Sequence, residues 1–468
     1  MSLSSPYVQL GLAGIFAVAM LSIPILGIGR IWVLGTIGAL VLAPYSLISS
    51  APTGMTHVGL APVAPALMTF TVPILALMIV SRSSFPTGPT VIFFGLSVYL
   101  FIAVTLFWGG TAIHWSGALH LVEVMAAFVA GFRMARSGWC EGRKYHWLLW
   151  TLMFVLLIEL GFSLAQLAGI PLSVHSEIDY YLNEGRMIGT FNHPSTLGKF
   201  CLIFMVLFLP GTVDVVRKIR RLSWFAIILC IALSGMTLAR ANTLAIIFAV
   251  IAWIVLDRPL KDRKSRRIPA LFGIFVISIP AVTAALERFS IDSGGERSHL
   301  AAVGWPFLRS YWEAGMGTNS YVEIVGRTES VTAAGYPWHN SFLLMISEIG
   351  IIGAAIVFAP LFWVAWRSLN SWRRRERIGL WSKAYLVTLP GIVLVSTTGW
   401  GMVASSTMVM WYLVIGLCGG ALTMNSRGRS EVSDLDGLRQ GDRAPRQMNE
   451  NHAKTSSVSA LINGLVEV

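Results

Sequence analysis

Long apolar runs separated by short polar breaks recur along almost the whole chain. Runs near 7–29, 31–49, 58–80, 88–108, 113–132, 146–169, 194–216, 222–239, 241–257, 268–285, 340–366, 384–399 and 402–422 each read as a helix crossing the hydrocarbon core of a bilayer. The pattern predicts an all-α fold, a polytopic integral membrane protein of about 12–13 transmembrane helices. Met1 to Gln9 carry no positive charge and Arg30 comes only after the first run, so that run is expected to be a span rather than a cleavable signal peptide. Two polar stretches interrupt the rhythm, at about 170–193 and 286–338. The second, of roughly fifty residues, is far longer than an ordinary connection. Residues 1–423 therefore form a multi-span domain. Residues 424–468, polar and free of Phe, Trp and Tyr from Asn425 on, are expected to be a disordered cytoplasmic tail.

Composition narrows the class. Of 468 residues 55% are hydrophobic and 12% charged, and the mean hydropathy is +0.68. A soluble domain has no use for that much apolar surface, so much of it must face lipid. Charge then sets the orientation. The basic clusters Arg133 to Lys144, Arg217 to Arg221, Arg258 to Arg267 and Arg373 to Arg377 all fall on one side, which the positive-inside rule makes the cytoplasm. Both long loops lie on the other side. These clusters account for most of the net charge of +12, which reports topology and anionic lipid, not nucleic acid. No basic groove interleaved with aromatics appears. Cys140, Cys201, Cys230 and Cys418 lie in spans or a cytoplasmic loop without metal-ligand spacing and read as packing residues.

Candidate chemistry gathers at the outside ends of the helices. His339-Asn340 is followed by nine residues and then Gly350-Ile351-Ile352-Gly353. On a straight helix of about 100° per residue, Gly350 returns to the His339 face about three turns deeper. That places a titratable imidazole at the mouth, with Gly350 and Gly353 as small helix-packing residues beneath it. The plainer alternative is a helix-capping His-Asn pair above packing glycines. The first loop offers Arg186-Met-Ile-Gly189-Thr190-Phe191-Asn192-His193-Pro194, where Pro194 can open the next span. Arg240 sits at a tight outside turn, where the positive-inside bias disfavours it. The second loop holds Glu296-Arg297-Ser298, Gly315-Met316-Gly317 and Trp338-His339-Asn340. Arginine presents a fixed fork of donors suited to phosphate oxygens, and helix starts after Asn192 and Asn340 add backbone donors. Each arginine taken alone is more simply read as snorkelling to headgroups or as a local salt bridge, a reading that three of them together with a histidine weaken.

Taken in order, these residues resemble the O-antigen ligases and related Wzy-type polysaccharide polymerases. The likeness rests on His339-Asn340-x9-Gly350-x-x-Gly353, on Arg186 with Gly189-Thr190-Phe191-Asn192-His193-Pro194, on the Arg240 turn and on Gly315-x-Gly317, and covers about residues 180–360. It implies transfer of a glycan from a polyprenyl-diphosphate carrier to an acceptor hydroxyl on a glycan or lipid. The reaction would occur in a bacterial inner membrane, at the periplasmic face, with membrane lipids around it and no nucleic acid. Ligase and polymerase both remain open, because the arginine-to-glycine spacings do not match those of the polymerases. In that chemistry Arg186, Arg240 and Arg297 would hold the diphosphate and stabilise charge as it departs. His339 would take the acceptor proton or orient the acceptor. Asn340 would position the histidine or a sugar, and His193 would add to binding. No cofactor, metal or nucleotide is required.

Two other readings come from carboxylates and buried polar groups. Glu177-Ile178-Asp179 resembles the acidic pairs that hold a divalent ion in metal-dependent membrane glycosyltransferases, although the Ser49–His57 loop, where such enzymes carry acids, has none. His114, His120, Glu123, Glu159 and Glu348 lie within spans, where they are costly and imply polar contacts inside the bundle. They motivate the alternative of a transporter or flippase for a lipid-linked or anionic solute. A transporter concentrates ionisable groups at the midplane and breaks its helices there, whereas here the notable charges sit at outside helix ends. On a straight helix Glu348 lies about half a turn away in azimuth from His339 and roughly 13 Å deeper, too far to be its partner.

Overall fold

The computed structural model describes residues 28–42, 68–80, 87–170, 172, 178–191, 193–256, 295–333, 335–373, 379–404 and 406–424. The expected span 7–29 apart from Ile28 and Gly29, the span 268–285, the Ser49–His57 loop, Glu177, Asn192, the basic run Arg258–Arg267 and the tail from Asn425 lie outside these residues. The chain groups into two compact units, Met1–Ala421 and Leu422–Val468, and the architecture is that of the first.

Its elements are α1 (Ile28–Val41), α2 (Thr71–Val80), α3 (Thr87–Ile102, continued by a π turn Ala103–Phe107), α4 (Ala112–Met134, continued by a π turn Ala135–Trp139) and α5 (Gly142–Leu167). After the short α6 (Ile178–Asn183) come α7 (Pro194–Phe208), α8 (Arg217–Met236) and α9 (Arg240–Leu256). The long outside loop carries α10 (Gly295–Tyr311), α11 (Tyr321–Val325) and α12 (Ser330–Ala333). It leads into α13 (Ser341–Arg373) and α14 (Leu380–Thr398), and α15 (Ser406–Met424) follows. Among the described residues eight helices are long and apolar enough to cross a membrane, and α9 and the stretch Arg30–Val41 of α1 are shorter apolar helices. The chain is an all-α, multi-pass membrane protein.

Several helices run beyond their apolar stretches. Spans expected at 222–239 and 146–169 begin at Arg217 and Gly142, because Lys and Arg are good helix formers whose stems lie along apolar surface while their heads stay in water. Burial separates centre from rim. In α4 and α7 89% of the apolar stretch is buried, against 22% in α3. Phe94, Phe101 and Phe107 of α3 are accordingly exposed, as lipid-facing side chains would be. The central helices approach by glycine contact. A Cβ on Gly131 of α4 would overlap the Leu413 carbonyl of α15, and one on Gly416 would overlap the Phe128 carbonyl of α4. Such small-residue crossings let backbones come together where no water drives association.

The largest departure from expectation is in α13. Gly350 has φ +69° and ψ 170°, so it breaks the helix. A segment of the outside loop fills the break. Met316 N–H donates to the Ser347 carbonyl (2.9 Å), Gly317 N–H to that of Glu348 (2.9 Å), and Ile351 N–H to that of Trp312 (2.8 Å). Gly350 does pack closely, since a Cβ there would overlap the Glu313 carbonyl, but as a break rather than as a small residue on a straight face. The backbone of Gly353 lies against the Tyr99 ring of α3.

Candidate functional site

The C-terminal ends of α5 and α8 and the N-terminal ends of α7 and α9 meet at one end of the bundle, and the first loop is held among them. Two polar residues of α5 do the holding. Gln166 accepts from the N–H groups of Ile188 and Gly189 (3.0 Å each) and donates to the Gly189 carbonyl (2.7 Å). Glu159 lies seven residues, about two turns, earlier on the same face and accepts from the N–H (2.9 Å) and hydroxyl (2.5 Å) of Thr190. Both side chains are buried, and each neutralises backbone donors that would otherwise be stranded. Gly189 has φ +62° and its backbone lies against the Glu159 carboxylate, so this turn needs glycine.

The clamp sets the place of Arg186. Met187 N–H donates to the Met236 carbonyl at the end of α8 (3.1 Å), and the Arg186 Nε donates to the Thr237 carbonyl (3.3 Å). Arg186 also pairs with Glu184 (3.2 Å) and lies 5.7 Å from the centre of the Tyr181 ring. Thr237 belongs to the three-residue turn before Arg240, with Leu238 at φ +52°. The structure therefore brings Arg186 to the turn that carries Arg240. Tyr181 meets the His193 ring edge-on at 5.3 Å. His193 is the N-cap of α7, its Nδ1 accepting from Ser195 N–H (3.0 Å). Asn340 is likewise a cap, its side-chain oxygen accepting from the N–H groups of Phe342 and Leu343 (3.1 Å each). The capping alternative thus holds for Asn340. His339 precedes the helix rather than riding on it, so the straight-helix register between His339 and Gly350 does not apply.

His339 sits under α10. Trp338 is buried against Trp305 of that helix (rings 5.2 Å apart) and against the backbone of Gly304. Burial first, then the Arg297 guanidinium and the Lys199 ammonium, push the His339 pKa down to about 4 from 6.5, against the opposing pull of the Pro337 carbonyl. The imidazole is therefore neutral at pH 7. Arg297, in the first turn of α10, is exposed and reaches His339 through its field. Glu329 ties α10 down from the other side. It pairs with His299 (3.2 Å) and caps α12 through Thr332 N–H (2.5 Å), and these bonds hold its carboxyl at about 2.

Lys199 is the residue the sequence reading passed over. It lies one turn inside α7, is 4% exposed, donates to the Ser195 hydroxyl, and its field reaches both Arg186 and His339. The backbone of Gly401 lies directly against its Nζ. Asn242 of α9 donates to the Ser195 carbonyl (2.9 Å), and Ser341 donates to the Gly399 carbonyl (2.7 Å). Lys199 thus links the Arg186 side of the site to the His339 side. Its signal was present, as an ionisable residue five positions into a membrane span. Beginning at Ser341, an apolar cleft of about 340 Å³, including the space it opens onto, runs between α13, α14 and α15, past Phe342, Phe358, Ile392 and Trp411.

Glu348 lies on the α13 side and is not a partner of His339. Its carboxylate accepts from the N–H groups of Asn319 (3.1 Å) and Tyr321 (3.3 Å), fixing the loop that fills the helix break. Thr318 donates to the His114 carbonyl (2.5 Å), and the Trp108 indole donates to the Ala314 carbonyl (3.0 Å). Among the described residues no group of three or more His, Cys, Asp or Glu side chains is arranged to hold a metal. The chain matches no protein-family model and no curated protein.

Proposed function

We propose that this protein transfers a glycan from a polyprenyl-diphosphate carrier to an acceptor hydroxyl at the outer face of a bacterial inner membrane, as the likeness to O-antigen ligases and Wzy-type polymerases implies. The observation that carries the reading is the uncharged imidazole of His339 under the fields of Lys199 and Arg297, with the charge of Arg186 acting in turn on Lys199. Cations set around a neutral base suit attack by a hydroxyl on a sugar whose leaving group is a diphosphate. Arg186 and Arg240 bind the diphosphate, Arg297 offsets charge on departure, and His339 takes the acceptor proton. His193 and Asn340 act through the helix ends they cap.

The test is His339→Ala in cells and in purified membranes. The variant is expected at normal level in the membrane, with transfer reduced roughly 10²–10⁴-fold and lipid-linked donor accumulating. Wild-type transfer by that variant would remove His339 from the reaction.

A second reading, a flippase or transporter of a lipid-linked anion, draws support from the Gly350 break and from ionisable groups within spans. Against it, Glu159 and Glu348 both spend their carboxylates on backbone N–H groups. Proteoliposomes separate the two: a flippase moves labelled carrier across the bilayer and forms no glycan product.

A further inference from the structure

We propose that Lys199 is an anion-binding residue of the same site, meeting a carrier diphosphate from the bundle side, below the helix ends. The assignment rests on the glycan-transfer reading for the identity of the anion. Its observations are independent of that reading.

An ammonium buried within a membrane span is costly unless a counter-charge accompanies it. Among the described residues no carboxylate pairs with Lys199, whose hydrogen-bond partner is the neutral Ser195 hydroxyl. Its charged neighbours make matters worse, since the field that reaches it comes from Arg186, another cation. An anion bound between them reverses the sign of both effects. Its two faces would be Arg186, from the clamped first loop, and Lys199, from α7, with the His339 ring alongside. Lys199 lies five residues inside Pro194, roughly 7 Å along the helix axis, so the anion would be drawn in below the capped ends of α7 and α13. The lid on this position is the 399–401 backbone, which Ser341 ties to the start of α13 through the Gly399 carbonyl.

The experiment uses the full chain in detergent, titrated with geranylgeranyl diphosphate and, separately, with inorganic pyrophosphate, reading thermal stabilisation. Lys199→Met keeps the length of the side chain and removes its charge. Without ligand it should unfold at the wild-type temperature or higher, because a buried unpaired charge is gone. Its affinity for both probes should fall roughly 10–100-fold, the size of one charge-assisted hydrogen bond. Lys199→Arg should fall between the two. Unchanged affinity in Lys199→Met, or a lowered unfolding temperature with unchanged affinity, makes Lys199 a structural residue and overturns the proposal. Lys199-dependent binding of pyrophosphate without any of geranylgeranyl diphosphate keeps the anion site and sinks the polyprenyl reading. Binding of neither probe by the wild-type protein overturns both.

Discussion

Glu159 and Thr190 are joined twice, the carboxylate of one accepting from both the backbone N–H (2.9 Å) and the hydroxyl (2.5 Å) of the other. The pair fixes a loop that would otherwise have few anchors, and through it the height of Arg186 above the end of α8. Glu159→Ala should leave two buried donors stranded, at about 1–3 kcal/mol each. Gly189→Ala should be of similar severity, since an alanine Cβ meets the same carboxylate in a left-handed backbone conformation. Thermal unfolding in detergent reads both. A variant as stable as wild type at either position would mean that the clamp contributes nothing.

If His339 is the base of the proposed transfer, the pH dependence of the reaction follows from it. Its folded pKa, about 4, lies below the unfolded 6.5. Any stability tied to this group is therefore complete above pH 6.5 and is lost as pH falls through about 4. A rate that needs the neutral ring should stay level from about pH 8 to about pH 5 and drop below that. Removing the neighbouring positive charge with Arg297→Gln makes protonation easier, so the acid limb should move to higher pH. Because Arg297 is exposed and screened, the move should be less than about one unit and should shrink further in high salt. Initial rates against pH for the two proteins decide it, and an unmoved limb would mean that Arg297 does not act on His339.

If arginines and a lysine take the place of a cation, transfer needs neither metal nor nucleotide. Purified membranes should retain full activity with EDTA and without ATP. Activity lost on chelation and regained with Mg²⁺ or Mn²⁺ would shift attention to Glu177 and Asp179.

Topology can be read by cysteine labelling in intact cells. Ser330 is exposed at the start of α12 in the long loop. A cysteine there should react with a membrane-impermeant reagent, and one at Ser456 should not. The reverse pattern would put the His339 end of the bundle on the cytoplasmic side.

Much of the bundle could be read from the chain because lipid enforces it. Pro194 opens α7 as its position suggests, and the turn at Arg240 is as tight as the short gap between apolar runs requires. The site was readable only in outline. Arg186, Arg240 and His339 stand at helix ends, where hydropathy changes. Lys199 stands out in the sequence as a charge inside an apolar run, but its neighbours do not, and the partners of Gln166 and Glu159 lie about thirty residues away or fewer in sequence but on a different element. Side chain to backbone contacts of that kind leave no periodic trace. The register from His339 to Gly350 failed because it assumed one uninterrupted helix, and a glycine at positive φ is invisible to a periodicity argument.

The break at Gly350 has a consequence for how this loop can vary. A surface loop can be exchanged like a cassette, with the scaffold beneath indifferent to its contents. Residues 312–317 instead supply the hydrogen bonds that α13 forgoes at its own interruption, so scaffold and loop form one continuous hydrogen-bonded path. Grafting a foreign loop over this end would leave the carbonyls of the buried residues Ser347 and Glu348 without donors. Under the proposed function, new substrate preferences are therefore open to substitution at exposed positions of α10 and α12 and closed to wholesale replacement of the segment.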